Sequence, residues 1–254
     1  MVDEQTLSRI EDAGLNASAP PQQRWLDGWI VRTSPGKARR ARCINAVAAG
    51  RLGLDRKLEL AAAVFREAGL PMVMRMTRFT LPTDLDAQVA ARGWDEVDDT
   101  RVMVRCDLGG AAPPALPAGM QWVRLGAAPF AQAVGALRGS PPAQIEAHAE
   151  RLALCPVPYQ GYAICRQDDQ AVLACGQFAR EAELVGLYDV FTRGSERGQR
   201  LAGVLCERLL SLAALEGAEV AYLQTEAANH PARQVYRRMG FADAYSYRYR
   251  QPPA

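Results

Sequence analysis

The stretch Leu184-Val185-Gly186-Leu187-Tyr188-Asp189-Val190-Phe191-Thr192-Arg193-Gly194-Ser195-Glu196-Arg197-Gly198-Gln199-Arg200-Leu201-Ala202 decides the fold. Up to Thr192 it is rich in β-branched and aromatic residues, the composition of a buried strand. Beyond it Leu201, Leu205, Leu209 and Leu212 recur at helical spacing, with Val204 beside them, which marks one apolar helix face. The order is strand, tight polar turn, helix. The first turn of a helix has backbone N–H groups without intrahelical partners. Those dipoles point at a turn that also carries arginines, and together they make a seat for phosphate. Taken alone, such a unit is common to many αβ proteins.

A second stretch stands downstream: Glu226-Ala227-Ala228-Asn229-His230-Pro231-Ala232-Arg233-Gln234-Val235-Tyr236-Arg237-Arg238-Met239-Gly240-Phe241. The pair resembles the GNAT superfamily of acetyl-CoA-dependent N-acetyltransferases. In that family an Arg/Gln-x-x-Gly-x-Gly/Ala loop grips the pyrophosphate of coenzyme A, and a later helix supplies a tyrosine acid. Arg197, Leu201 and Ala202 fit the loop, and Gly198 gives the usual Arg-Gly start. Asn229, Ala232, Tyr236, Gly240 and Phe241 fit the helix. Arg200 departs, standing where the family usually has its central glycine. Either the backbone there needs no positive φ, or phosphate binding is weakened, or the side chain adds a charge contact.

The resemblance implies site residues. Val190, Phe191 and Thr192 would hold the cofactor's pantetheine arm on a splayed strand, and the Val190 N–H would donate to the developing oxyanion. Arg197, Gly198, Gln199, Arg200, Leu201 and Ala202 would cradle the pyrophosphate. Asn229 would contact the arm, and Tyr236 would protonate the leaving thiolate. The bland alternative for Tyr236 is a core tyrosine on an amphipathic helix. An acceptor alkylamine, with a pKa near ~10.4, must lose a proton before attack. Asp189 and Glu226 are the carboxylates near the strand ends, and either would take it or only attract a cation. Tyr188 and Tyr162 read better as core than as pocket.

Composition bounds the rest. The chain has 254 residues, 49% of them apolar, with a net charge of +2. That balance disfavours nucleic acid or a membrane as the main partner. The acidic start is no signal peptide, and no apolar run is long enough to span a membrane. Cys43, Cys106, Cys155, Cys165, Cys175 and Cys206 show no Cys-x-x-Cys pairing, and with only His148 and His230 beside them no metal is expected. They read as reduced cysteines of a cytoplasmic protein.

In chain order, a helix is expected near residues 3–15 and a strand over Trp25–Thr33. A basic turn at Lys37–Arg42 reads as a solvated hairpin tip rather than a phosphate or nucleic-acid contact. A strand Cys43–Ala48, a helix Leu54–Ala68, a strand Met72–Phe79, a short helix Asp84–Arg92 and a hairpin over Trp94–Asp107 follow. Gly109–Gly119, rich in Gly, Pro and Ala, is the best linker. After it come a strand, two helices over Phe130–Leu154, three antiparallel strands, the phosphate turn with its helix, strand Val220–Thr225, helix Pro231–Met239 and a last strand. An internal echo aligns Gly93-Trp94 with Gly240-Phe241, Leu85 with Ala232 and Val89 with Tyr236, without a phosphate turn in the first copy.

The expectation is a mixed α/β chain of the GNAT-type acyltransferase fold: a mostly antiparallel sheet, flanking helices and a tandem arrangement. Residues 1–108 would be a degenerate GNAT-like domain, 109–118 a linker and 119–254 the catalytic domain. The implied reaction passes acetyl from acetyl-CoA, with no metal, to a primary amine on a small molecule or protein. The competing reading is a non-catalytic acyl-CoA-binding or protein-interaction module on a retired acetyltransferase fold. A homodimer stays open. The acceptor wall would come from Phe130–Tyr159 and be apolar.

Overall fold

The computed structural model describes residues 2–109 and 112–253. Of the expected linker 109–118, residues 110 and 111 lie outside the described residues. The first half runs α1 (Glu4–Ala17), β1 (Gln23–Leu26), β2 (Trp29–Arg32), β3 (Ile44–Ala46), α2 (Leu54–Glu67), β4 (Met74–Met76), α3 (Leu85–Ala90) and β5 (Asp95–Cys106). The second runs β6 (Met120–Leu125), α4 (Ala127–Arg138), α5 (Pro142–Leu154), β7 (Tyr159–Arg166), β8 (Val172–Glu181) and β9 (Leu184–Thr192). It continues through α6 (Leu201–Leu215), β10 (Val220–Glu226), α7 (His230–Arg238) and β11 (Ala242–Gln251).

All eleven strands form one sheet, in the order β1-β2-β3-β4-β11-β5-β10-β9-β8-β7-β6. Among the described residues only β3–β4 and β9–β10 pair in parallel. The internal echo holds: α2, β4, α3 and β5 repeat as α6, β10, α7 and β11. Gly93 (φ +79°) and Gly240 (φ +85°) both take the left-handed turn that ends the short helix, and Trp94 and Phe241 are both buried. Each copy's last strand is exchanged. β5 pairs with β10 of the second half, and β11 pairs with β4 of the first.

Three sequence expectations need correction. Trp25–Thr33 is a hairpin, not one strand: Asp27 (φ +43°) and Gly28 (φ +85°) form the left-handed pair that a two-residue turn demands. Trp94–Asp107 is one long strand, not a hairpin. Asp98 takes φ +54° within it, and β10 and β11 cover its two edges. Lys37–Arg42 is no solvated tip. Arg39 pairs with Asp98 at 2.9 Å, and half-buried Arg40 lies 5.8 Å over the Tyr188 ring.

The sheet separates two apolar layers. One side carries α6 and α7 over Leu187, Leu201, Leu205, Leu209, Leu223 and Phe241, with α2 and α3 over Trp29, Ile44, Phe65 and Met74 farther along. The other carries α1 over Val102, Tyr188, Tyr222, Tyr245 and Tyr247, and α4–α5 over Ala163 and Cys175. Helix α1 is fixed by charge as well: its Glu11 binds Arg75 of β4 and accepts from the Tyr245 hydroxyl of β11 at 2.7 Å.

Candidate active site

Strands β9 and β10 run side by side from Leu184–Val220 to Leu187–Leu223, and their pairing then stops although both continue, to Thr192 and Glu226. The cause sits in β9. Its register with β8 passes from Tyr188–Gln177 to Phe191–Cys175, so Asp189 and Val190 face only Gly176. Asp189 takes φ +52°. A bulge of this kind bends a strand and turns a peptide out of the ladder. Gly176 permits it, because a Cβ there would stand 3.1 Å from Leu205 and 3.3 Å from Val190. The site therefore begins with two parted strands and a displaced Val190 peptide.

Past Thr192 a short 3₁₀ turn, Gly194–Glu196, leads to α6. Arg197, Gly198, Gln199 and Arg200 are exposed, and no side chain caps the α6 amides. Glu196 is engaged by Arg166 (3.2 Å) and Gln199 (2.9 Å), and Arg197 lies 5.9 Å over the Phe191 ring. The Thr192 hydroxyl is buried without a hydrogen-bond partner among the described residues. Arg200 resolves the question its sequence position raised: it is left-handed, φ +61°. The backbone does need the conformation a glycine supplies, at roughly 1–2 kcal/mol for an L-residue. Arg200 keeps the turn and sets a guanidinium at the helix start. These features fit the diphosphate and pantetheine of acetyl-CoA, with uncapped amides and arginines for the one and an open strand edge for the other.

Helix α7 closes the far side. Asn229 caps it, accepting from the Ala232 N–H at 3.3 Å, so half of its amide serves the helix. Tyr236 packs edge-on against Phe241 at 6.0 Å and onto the α6 layer. Burial pushes its phenol well above the usual value, with Cys206 of α6 adding to the rise. The hydroxyl therefore stays protonated at neutral pH, as a proton donor must. Glu226 is exposed at the end of β10.

Asp189 does not suit the part of base. Arg138 holds one oxygen at 3.0 Å; Gln177 (2.8 Å) and His148 (3.2 Å) hold the other. Burial raises its pKa, but the His148 imidazole beside it and the charges of Arg138 and Arg151 outweigh that and hold it well below the carboxylate range. So weak a base takes no proton from an amine. His148 lies beside it with Nε2 at 3.2 Å, a contact outside hydrogen-bond geometry. Arg138, His148, Arg151 and Gln177 were not singled out from the sequence. Only the spacing of His148 and Arg151, three apart and so on one face of α5, hinted at them.

The first half repeats this arrangement with its seat filled. Ahead of α2, the Asp27 carboxylate accepts from the N–H groups of Arg51 (2.9 Å) and Leu52 (2.8 Å). An internal carboxylate thus occupies the turn ahead of α2, whereas no side chain caps the start of α6.

Residues 6–250 match the family model described as "Probable histone acetyltransferase Rv0428c C-terminal". The chain belongs to this family, within the GNAT superfamily. Similar solved structures include a GCN5-related N-acetyltransferase from Kribbella flavida, at 18% identity over 97% of this chain and 95% of that one, TM-score 0.66. A tandem GNAT protein from the clavulanic acid biosynthesis pathway shares 15% over 99% and 96%, TM-score 0.64. A GCN5-related N-acetyltransferase from Sphaerobacter thermophilus shares 16% over 79% and 69%, TM-score 0.61. At these identities the likeness is one of fold. No curated protein matches the chain. Among the described residues no helix is long and apolar enough to cross a membrane, and no three His, Cys, Asp or Glu gather into a metal-holding group.

Proposed function

We propose that this GNAT-family chain transfers acetyl from acetyl-CoA to an amine, on a small molecule or a protein, by direct attack. The observation that carries this is the parting of β9 and β10 directly above an uncapped, arginine-bearing helix start. Acetyl-CoA supplies the activated acyl carbon. The helix amides with Arg197 and Arg200 anchor its diphosphate, and Val190–Thr192 align the arm, so that orientation is set by binding. The Val190 N–H meets the negative charge that grows on the acyl oxygen. His148, steadied by Asp189, takes the amine's proton, and Tyr236 gives one to the sulfur. In this reading residues 1–108 are scaffold and pocket wall, joined through 109–118 to the transferase part at 119–254, and the enzyme works in the cytoplasm.

The test is thiol release from acetyl-CoA over a broad panel of amines. Release that depends on an amine, and that falls by ~10²-fold or more in His148→Gln, supports the reading. Binding of acetyl-CoA with no release from any amine would favour the non-catalytic acyl-CoA-binding module instead.

A further inference from the structure

A cavity opens on the opposite face of the sheet from α6. Ala131, Val134 and Gly135 of α4 and Ile145 and Ala147 of α5 form its apolar wall, with the Gln144 amide beside them. Asp189 lies at its base, one residue before Val190. The loop Ser34–Ala41 of the first half covers it. Its lining carries Lys37, Arg138 and Arg151, with the His148 imidazole beside them, against the single carboxylate of Asp189.

Both oxygens of that carboxylate are taken, one by Arg138 and one by Gln177 and His148. Arg138 is thereby matched by an ion pair, whereas Arg151 acts on Asp189 through its charge alone and exposed Lys37 makes no ion pair among the described residues. Arg151 is 8% exposed, its guanidinium lies 5.8 Å over the Tyr159 ring, and its one hydrogen bond by distance and angle, to the Ala17 carbonyl, is 3.4 Å long. A buried guanidinium with so little of its donor fork used can take a further acceptor, and carboxylate or phosphate fits that fork best. With three cations on the lining against one carboxylate, a cation entering here would meet a net positive field at short range.

Resting on the acetyl-transfer reading, we propose that this cavity receives the acceptor, and that the acceptor is an amine bearing an anionic group, carboxylate or phosphate, held by Arg151 and Lys37. Its amine then faces His148 and the Val190 peptide, while its anion points back under the first half's loop. The first half thus contributes to acceptor choice.

Matched acceptors test this: 4-aminobutyrate against butylamine, O-phosphoethanolamine against ethanolamine, and a lysine-rich peptide. The anionic member of at least one pair should have kcat/KM higher by about 10-fold or more, and the pair that shows it tells carboxylate from phosphate. That ratio should fall toward one in Arg151→Gln and in Lys37→Gln. Because a ratio is read within one protein preparation, partial misfolding does not imitate the result, and exposed Lys37 covers the case in which Arg151→Gln does not fold. Equal rates within both pairs, or the peptide as the best acceptor, would overturn the inference and leave acetyl transfer standing. If no amine releases thiol, the melt of the apo protein in inorganic phosphate decides. Stabilisation that Lys37→Gln and Arg151→Gln both reduce supports the anion seat, and stabilisation indifferent to them refutes it.

Discussion

Tyr236→Phe should lower turnover by ~10²- to 10⁴-fold, the range for a lost general acid, while acetyl-CoA still binds. The substitution removes one oxygen. The ring keeps its edge contact with Phe241 and its packing on α6, so the fold should survive. What disappears is a proton donor that burial keeps protonated, since the phenol's pKa is raised in the folded protein. For the same reason Tyr236 does not set an alkaline limit to activity below the ordinary phenol value near ~10. Steady-state rates beside a calorimetric titration separate the two effects. Equal turnover in Tyr236→Phe and wild type would make Tyr236 a packing residue and leave the sulfur to be protonated from solvent.

The second large effect is on stability. Glu11→Ala should cost about 3–5 kcal/mol, because it leaves Arg75 charged and buried without its partner. Arg75 is 3% exposed, its guanidinium stacks 3.8 Å over Tyr247, and Glu11 is its bidentate acceptor. In a chain of this size that loss lowers the melting temperature by roughly 10 °C. The pair joins α1, β4 and β11, hence both halves. Its pH dependence has a definite sign. Burial raises the Glu11 carboxyl, but Arg75 and Tyr245 outweigh burial, and the net folded pKa is lowered. A depressed carboxyl stabilises above its unfolded value, near ~4.3, and that contribution is lost as pH falls through the folded value. Urea midpoints measured from pH 7 down to pH 3 should therefore fall less steeply in Glu11→Gln than in wild type. An unchanged melt in Glu11→Ala would mean that α1 is held by its apolar face alone.

What the sequence made legible follows the range of the interactions concerned. The strand, the arginine turn and α6 are local, and periodicity with the turn chemistry places them within a residue or two of where they lie. The echo between Gly93-Trp94 and Gly240-Phe241 is local too, since each glycine ends its own helix. The exchange of β5 and β11 is not, because alternation along a strand marks its faces and says nothing about the neighbours at its edges. The linker-like composition after Leu108 suggested that residues 95–106 close the first half, whereas they lie between two strands of the second. The Asp27-Gly28 turn carries its own local signal, but Trp25 and Trp29–Val31 dominate the apolar pattern around it.

The acceptor side was the least legible part. Phe130–Tyr159 reads as an apolar wall because alanine and leucine outnumber its charged residues. Arg138, His148 and Arg151 nevertheless turn inward, drawn by the Asp189 carboxylate from a strand some forty residues later. Charge complementarity between distant elements has no periodicity to betray it. Arg40 shows the same thing from the first half. A basic run that looks solvated is partly folded into the centre, where Arg40 donates to Gln224 at 2.5 Å.

Calorimetric titration of acetyl-CoA into the full chain tests the central claim most directly, since it asks whether the turn after Thr192 is a cofactor seat and the turn before α2 is not. One site per chain, weakened in Arg197→Ala and accompanied by a rise in melting temperature with ligand concentration, is the predicted result. No heat and no melting shift at millimolar acetyl-CoA, or binding unaffected by Arg197→Ala, would contradict it.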